Sequence, residues 1–225
     1  MTFKQRIESS KKMVVLCGAG ISTASGVPDF KTMYNQNKKL RKALEVKTFK
    51  KHTEVLTQFL MNIVEGVPNE AHYFLQRLNK LGRLIRCYTM NIDGLEARVL
   101  PSYVLRHIHG RVDDVARCGS KRVAAKHLIK MAKNYEISKY NEENNCYIRP
   151  GFVMYGEKIR DIEDIDIDLR NADTILCMGT RLSVNPIASI IKSYSHKVIC
   201  MNNEPVGEYY TVVGDCNKIC RILLR

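Results

Sequence analysis

The fold is decided by residues 13–22, which read MVVLCGAGIS. The run from Met13 to Cys17 is apolar and has no polar face, which is typical of a strand buried on both sides in a parallel sheet. Gly18 and Gly20 follow at once and permit a tight turn, in which bare backbone N–H groups can reach a phosphate. Ser22 then begins a first helical turn, whose dipole favours negative charge. A strand, a glycine turn and a helix in this order predict a site for a pyrophosphate.

The glycine pattern alone leaves a structural alternative open. Thr23 stands at the third glycine position of the G-x-G-x-x-G dinucleotide fingerprint. No acidic residue follows about 20 positions later at the end of a second strand, as the fingerprint requires. The same residues would therefore also suit an ordinary strand-to-helix turn that binds nothing.

Longer blocks of sequence separate these alternatives. Six blocks follow one another: GAGISTASGVPDFK (18–31), YTMNIDGLE (88–96), HG (109–110), RPGFVMYGE (149–157), GTRLSV (179–184) and NNE (202–204). In content and order they resemble the signature of the sirtuins, the NAD-dependent protein-lysine deacylases. The residues RCY at 86–88 and Tyr155 before Gly156 look most like the fungal branch that deacetylates histones.

The apolar runs and the resemblance together predict the fold class. We expect an α/β protein with a Rossmann-like parallel sheet, a small helical insertion lobe and a reduced zinc-module-like insertion. Residues 1–225 are expected to form a single sirtuin-type catalytic domain. Its core would span about 1–30, 80–110 and 156–225, and its small lobe about 31–79 and 111–155.

Secondary-structure expectations follow from periodicity and from glycine and proline positions. Helices are expected at 3–10, 40–46 and 55–64, from Pro68 onward, at 161–170 on the surface, at 186–194 and after Cys216. Strands are expected at 84–88, 103–105, 174–178 and, as the last strand, 197–201. His72 is expected to be a packed or capping residue rather than a ligand.

The catalytic residues are suggested by the resemblance, because the residues alone leave other interpretations open. His107 and His109 lie two apart on an expected strand and could form a metal pair. Asn91 and Asp93 could simply close an Asx turn. The resemblance instead implies that His109 is the general base, that Asn91 and Asp93 hold nicotinamide and its ribose, and that His107 is structural.

The resemblance also implies the binding residues. Cofactor contacts are expected from Gly18, Ala19, Gly20, Ser22, Asp29, Phe30, Lys31, Met90, Asn91, Ile92, Asp93, Gly179, Thr180, Arg181, Asn202, Glu204 and, through its backbone, Cys216. Substrate contacts are expected from Phe152, Val153, Met154, Tyr155, Gly156 and Glu157. In the family, the segment equivalent to these substrate-contacting residues pairs with the substrate peptide as an added strand.

The stretch after His109 departs from the family pattern. A typical sirtuin has two C-x-x-C pairs here, enough for a tetrahedral zinc site. This chain has only Cys118 and Cys146 in the stretch, and His127 as a further candidate ligand. We therefore predict NAD as the cofactor and no zinc, with a basic helix over 123–133 in place of the metal.

Three substitutions bear on activity. Lys31 and Arg181 replace an arginine and a serine of the family pattern and keep or add positive charge. Met90 replaces a glutamine whose amide helps to position the ribose, at an expected cost of about 1 to 3 kcal/mol in the transition state. Two rival functions therefore stay open: a non-catalytic NAD-binding or chromatin-binding module, and a mono-ADP-ribosyltransferase on the same fold.

Composition limits the partners. The chain has 225 residues, 45% of them hydrophobic, and a formal net charge of +13. Its basic residues cluster at 38–51 and 121–139, which favours acidic partners such as nucleic acid or a nucleosome, although solvated helix faces would look the same. With a histone substrate, the expected setting is chromatin and transcription silencing, in the nucleus or otherwise the cytoplasm. No apolar run of membrane-spanning length occurs, and the 8 scattered cysteines suggest a reducing compartment.

Overall fold

The computed structural model describes residues 2–28, 37–64, 66–112, 116–118, 121–123, 140–141, 146–147 and 151–224. Its helices are α1 (Phe3–Ser9), α2 (Lys38–Ala43), α3 (Thr53–Val64), α4 (Glu70–Lys80), α5 (Ile165–Asn171), α6 (Ile187–Lys192) and α7 (Cys216–Leu223). Its strands are β1 (Met13–Cys17), β2 (Leu84–Thr89), β3 (Leu105–His107), β4 (Ala116–Cys118), β5 (Lys121–Val123), β6 (Tyr140–Asn141), β7 (Cys146–Tyr147), β8 (Thr174–Met178), β9 (Val198–Asn202) and β10 (Tyr210–Val213).

The main sheet has the strand order β10-β9-β8-β1-β2-β3, and every neighbouring pair is parallel. Strands β1, β8 and β9 are buried along their whole length, as their continuous apolar runs predict for a sheet covered on both faces. The α/β, Rossmann-like fold class is thereby confirmed. None of the helices within the described ranges is long and apolar enough to cross a membrane.

Two strand predictions were wrong at the edges of this sheet. The third strand begins at Leu105 rather than Tyr103, whose side chain is 68% exposed in the preceding turn. The strand at 198–202 is not the last, because β10 pairs beside it. Edge strands bury only part of their side chains, so β10 lacks the apolar run that marks a central strand.

The turn after β1 is not the start of an α-helix. Ser22 lies buried between two short 3₁₀ turns, Ala19–Ile21 and Thr23–Ser25, and Gly26 ends the second with a φ of 79°. A Cβ atom on Gly20 would lie 2.7 Å from the Cα atom of Gly179. These two glycines therefore allow the turns that follow β1 and β8 to touch.

The insertion lobe has its own apolar cluster. Side chains from α2 and α3, among them Leu40, Leu56 and Leu60, pack with Phe152 and Met154. α4 starts at Glu70, two residues after the expected Pro68, because Asn69 caps it. It packs its apolar face on a cluster formed by side chains of the main sheet, among them Met13, Val15 and Leu84, instead of in this lobe. The sequence prediction had assigned residues 68–79 to the lobe.

The region after His109 is described only in part. β4 pairs with β5, and β6 pairs with β7, both antiparallel. Val123 closes β5, so the basic helix that we expected over 123–133 does not begin there, and its other residues lie outside the described ranges. The expected surface helix at 161–170 begins later, at Ile165, and buries Ile165, Asp168 and Leu169.

Candidate active site

A cavity of about 560 Å³ opens where strands β1, β2, β8 and β9 end. This is the edge at which open parallel sheets bind ligands. The predicted residues that line the cavity are Gly18, Ala19, Gly20, Met90, Asn91, Ile92, Asp93, His109, Gly179, Thr180, Arg181, Asn202, Glu204 and the segment 152–157. The structure thus brings together residues that lie far apart in the sequence.

Five predicted cofactor residues are not among those lining the cavity. Asp29, Phe30 and Lys31 lie outside the described residues. Ser22 is fully buried, and its hydroxyl lies 3.4 Å from the Asn91 amide nitrogen, so it contacts a site residue from behind. The Cys216 thiol donates to the carbonyl of Met201, and burial raises its pKa to about 12. The expected contact through the Cys216 backbone stays a prediction.

The N–H groups of Gly18 and Gly20 are not bare, contrary to our sequence-based expectation. They donate to the carbonyl oxygens of Met178 and Gly179, each at 2.9 Å. These bonds hold the first glycine turn against the end of β8. The N–H of Ala19, between the two glycines, has no acceptor within the described residues, and Ala19 lines the cavity, so this amide is available to a phosphate.

His109 follows β3 and contacts Met90, the residue that follows the neighbouring strand β2. Its Nδ1 atom lies 2.9 Å from the backbone carbonyl oxygen of Met90. A carbonyl only accepts hydrogen bonds, so Nδ1 carries the proton and Nε2 is left as an acceptor. Burial lowers the pKa of His109, which favours the neutral imidazole. His107, by contrast, is half-buried and is not among the residues lining the cavity.

Asn91 and Asp93 follow β2 and are both buried at the cavity wall. One Asp93 carboxylate oxygen accepts from the N–H of Leu95 at 2.9 Å, which is the Asx turn that the residues alone suggested. Burial raises the pKa of Asp93, while the Leu95 N–H and the Ser22 hydroxyl partly offset that effect. The loop role and a binding role are therefore compatible in one residue.

Sequence reasoning assigned no role to Glu96. This side chain is fully buried and accepts hydrogen bonds from Thr89 and from the amide of Asn91. Burial and the negative charge of Asp93 raise its pKa to about 7. The only sequence signal for a role of Glu96 was its place at the end of the YTMNIDGLE block. A glutamate at that position could equally have been on the surface.

Segment 152–157, where substrate contacts are expected, is not a regular strand. The N–H of Val153 donates to the carbonyl of His109, and that of Tyr155 donates to the carbonyl of Leu44. The N–H of Met154 donates to a carboxylate oxygen of Glu157. Since these three amides are already bonded, a peptide added here would have to use carbonyl groups or displace these bonds.

A model of the Sir2 family matches residues 18–186, which is most of the chain. The chain belongs to the Sir2 family. Membership makes it a sirtuin-type enzyme with NAD as its cofactor. The cavity suits that cofactor, because it has the volume of a small-molecule site, a glycine turn whose Ala19 amide has no acceptor among the described residues, and carboxylate and amide side chains.

The similar proteins come from several kingdoms. The "NAD-dependent histone deacetylase SIR2" of Candida albicans is 30% identical over 97% of this chain, and the match covers 48% of that protein. The "NAD-dependent protein deacetylase" of Sulfolobus acidocaldarius is 31% identical over 93% of this chain and 86% of its own length. This sirtuin thus spans about half of the fungal relative, and the identities do not single out a fungal branch.

Solved structures of the family share the fold. One described as "Structural Basis for the Mechanism and Regulation of Sir2 Enzymes" has a TM-score of 0.85 at 22% identity, over 98% of this chain and 94% of that one. Another, "Sir2-p53 peptide-NAD+", has a TM-score of 0.82 at 24% identity, over 99% and 95%. At these identities the likeness supports the architecture of the sirtuin and nothing finer.

Two residues expected at the cofactor form an ion pair in this sirtuin. The Arg181 guanidinium pairs with the carboxylate of Glu204, and both side chains are about half exposed, at 51% and 45%. Asn202 donates from its amide to the backbone carbonyl of Glu204 at 3.1 Å. The family serine could not form this pair, so Arg181 partly neutralises a carboxylate that was expected to hold ribose hydroxyls.

The metal prediction concerns the stretch after His109, which the structure describes only in part. Within the described residues, no group of three or more His, Cys, Asp or Glu side chains is placed to hold a metal ion. The side chains of Cys118, Cys146 and His127 fall outside that description. A metal-free insertion in this sirtuin therefore stays a prediction.

Proposed function

We propose that this chain is an NAD-dependent protein-lysine deacylase, which releases nicotinamide and forms O-acyl-ADP-ribose. The observation that carries the proposal is the neutral His109 imidazole. Its Nδ1 proton is held by the Met90 carbonyl, and its Nε2 lone pair is free to act in a cavity that Asn91 and Asp93 also line. A base poised in this way suits removal of a proton from a hydroxyl near neutral pH.

The described side chains divide the remaining tasks. When bound, NAD supplies an electrophilic ribose carbon and nicotinamide as the leaving group. Asp93 can accept a hydrogen bond from a carboxamide, and Asn91 can accept one from a hydroxyl or an ordered water. The amide of Ala19 can donate to a phosphate oxygen. Asn202 and the Arg181–Glu204 pair would contact the adenosine end.

The acyl-lysine would enter along the wall formed by segment 152–157. Phe152 and Met154 belong to the apolar cluster of the insertion lobe and also line the cavity. An uncharged acyl chain would therefore lie against apolar side chains, whose contact favours it. The N–H of Val153 ties this wall to the His109 backbone, so the substrate and the base share one support.

For the protein substrate, we infer a histone or another nuclear protein. The inference is supported by the name of the Candida albicans relative and by the net charge of +13, which favours association with chromatin. The resemblance of residues 86–88 and Tyr155 to the fungal histone deacetylases points the same way. Nuclear localisation and a part in transcription silencing belong to this same inference.

The test follows NAD carrying a label in its adenylate phosphate. Purified protein is incubated with and without an acetyl-lysine peptide, and nicotinamide release and the fate of the label are both measured. Release that requires the peptide and moves the label into O-acyl-ADP-ribose is the expected result. Label on protein would instead indicate a mono-ADP-ribosyltransferase. Tight NAD binding by calorimetry without any release would indicate a binding module, and either outcome would overturn the proposal.

A further inference from the structure

Glu96 is an ionisable side chain placed where ionisation is costly. It opens a 3₁₀ turn, Glu96–Arg98, directly behind the cavity wall and has no solvent exposure. Its Oε1 atom accepts from the Thr89 hydroxyl at 2.7 Å and from the Asn91 amide nitrogen at 2.9 Å. Its Oε2 atom has no hydrogen-bond partner among the described residues. An apolar side chain would avoid this desolvation cost, so packing alone does not account for a carboxylate here.

The contact determines which end of the Asn91 amide meets the cavity. An ionised carboxylate can only accept hydrogen bonds, so it must face the nitrogen of the amide. The same nitrogen lies 3.4 Å from the hydroxyl oxygen of Ser22. With its nitrogen held from behind at two points, Asn91 presents its oxygen to the cavity that it lines.

We propose that Glu96 is a positioning residue, which holds the Asn91 amide so that its oxygen faces the bound substrate as a hydrogen-bond acceptor. The proposal rests on the proposed deacylase function, since only a reacting ribose hydroxyl or water makes the orientation matter for rate. An inverted amide would offer two donors at the same place. It would no longer accept the hydrogen bond that orients the hydroxyl.

The charges around Glu96 make this hold dependent on pH. Glu96 interacts electrostatically with Asp93, three residues earlier, and with the Cys17 thiol of β1. The positive charge of Arg98 lowers the pKa of Asp93. Burial and Asp93 raise the pKa of Glu96 to about 7. Once protonated, Glu96 can also donate, so it no longer requires the nitrogen of Asn91 as its partner. The constraint on the amide therefore weakens as the pH falls through about 7.

A spectroscopic experiment tests the contact without turnover. The side-chain amide signals of Asn91 are identified in ¹⁵N-labelled protein by their loss in Asn91→Ala, and are then followed from about pH 6 to about pH 8. In the unsubstituted protein they should shift with a midpoint near 7. In Glu96→Gln, which is nearly isosteric and does not titrate, they should not shift. Equal behaviour of the two proteins would overturn the proposal, even if the chain had no deacylase activity.

A kinetic experiment tests the consequence. Glu96→Leu removes the acceptor, and kcat should fall by about tenfold or more while the NAD dissociation constant from calorimetry changes by less than about threefold. The matched control is Asp168→Asn. Asp168 is another buried carboxylate, bonded to Tyr88 and Arg86, but it is not among the residues that line the cavity. This control should lower the unfolding midpoint and leave kcat nearly unchanged.

The outcomes separate the two proposals. A folded Glu96→Leu protein with unchanged kcat, or a control that loses kcat equally, would overturn the positioning role. If Glu96→Leu does not fold, the amide titration in the unsubstituted protein and in Glu96→Gln still decides. Absence of peptide-dependent turnover in the unsubstituted protein would overturn the deacylase function, whereas the Glu96–Asn91 contact would be judged by its titration alone.

Discussion

The Nδ1 atom of His109 lies 2.9 Å from the backbone carbonyl oxygen of Met90. Two neighbouring strands, β2 and β3, end at this point, so the parallel pairing of the sheet delivers both partners. The contact fixes the tautomer of the imidazole without the use of an acidic side chain. It also survives any substitution of the Met90 side chain, because the acceptor belongs to the backbone.

The first prediction concerns the base. His109→Ala should lower peptide-dependent turnover by about a hundredfold or more and leave the NAD dissociation constant within a few-fold, because a general base acts mainly in the transition state. His107→Ala is the matched control and should retain most of the rate. Steady-state kinetics and calorimetry measure the two quantities. A His109→Ala protein with near-normal turnover would mean that another group removes the proton.

The second prediction concerns the departure at Met90. Met90→Gln should raise kcat by about tenfold to a hundredfold, because an amide beside the reacting ribose restores about 1 to 3 kcal/mol of hydrogen bonding. Met90 is half-buried against an apolar cluster that includes Val14, Leu16 and Tyr88, so some stability should be lost. Met90→Leu keeps an apolar side chain and should not raise kcat. If both variants behave alike, the missing amide does not limit this enzyme.

The third prediction concerns stability in acid. His72 is fully buried in α4, and burial lowers its pKa to about 4. The unfolded chain then binds a proton near pH 6.5 that the folded chain does not, so stability should fall as the pH drops from about 6.5 to about 4, by about 3 kcal/mol in total. His72→Gln cannot titrate, and it can still accept the Asn69 N–H that His72 accepts at 3.2 Å.

Urea unfolding at several pH values measures the difference between these two proteins. The raised pKa of Glu96 has the opposite sign, because the folded chain holds that proton longer and loses stability as the pH rises from about 4.5 to about 7. The comparison is therefore made between the variant and the unsubstituted protein at the same pH. If the two proteins lose the same stability as the pH falls, His72 does not contribute to the acid dependence.

The fourth prediction concerns the basic surface. Lys38, Lys39 and Lys42 lie exposed on α2. If the stretches 38–51 and 121–139 contact nucleic acid, binding should weaken as salt rises, with a log–log slope of about −0.9 per phosphate neutralised on duplex DNA. Binding of NAD, which has only two phosphate charges, should respond much less. Fluorescence anisotropy on labelled duplex measures the slope.

Two triple variants isolate the surface on α2. Replacing Lys38, Lys39 and Lys42 by glutamine should flatten the slope by about 0.9 for each phosphate that these lysines no longer neutralise. The control replaces exposed lysines elsewhere, at positions 4, 192 and 218, and removes the same net charge. Equal flattening in both variants would indicate a general charge effect. A flat response in the unsubstituted protein would indicate solvated helix faces only.

The sequence by itself determined the central strands of the sheet and the position of the glycine turn. Continuous apolar runs such as Met13–Cys17 and 175–178 have no polar face to offer water, which is typical of strands at the centre of a covered sheet. The resemblance of longer blocks to the sirtuins assigned His109 and Asn91 to one site, and both residues line the cavity at the carboxyl ends of the parallel strands. Such inferences need only local sequence patterns and the rule that the carboxyl ends of parallel strands lie at one edge of the sheet.

Only the tertiary structure decided the contacts between elements. The N–H groups of Gly18 and Gly20 donate to carbonyl oxygens at the end of β8. The acceptor of the Gly18 N–H, Met178, lies 160 residues later in the chain. Whether Glu96 is on the surface or buried against Asn91 depends on how the chain returns after β2, and a glutamate in sequence is compatible with both. Hydrogen-bond partners and desolvation are set by neighbours in space, and neither can be read from the identity of a residue and its neighbours along the chain.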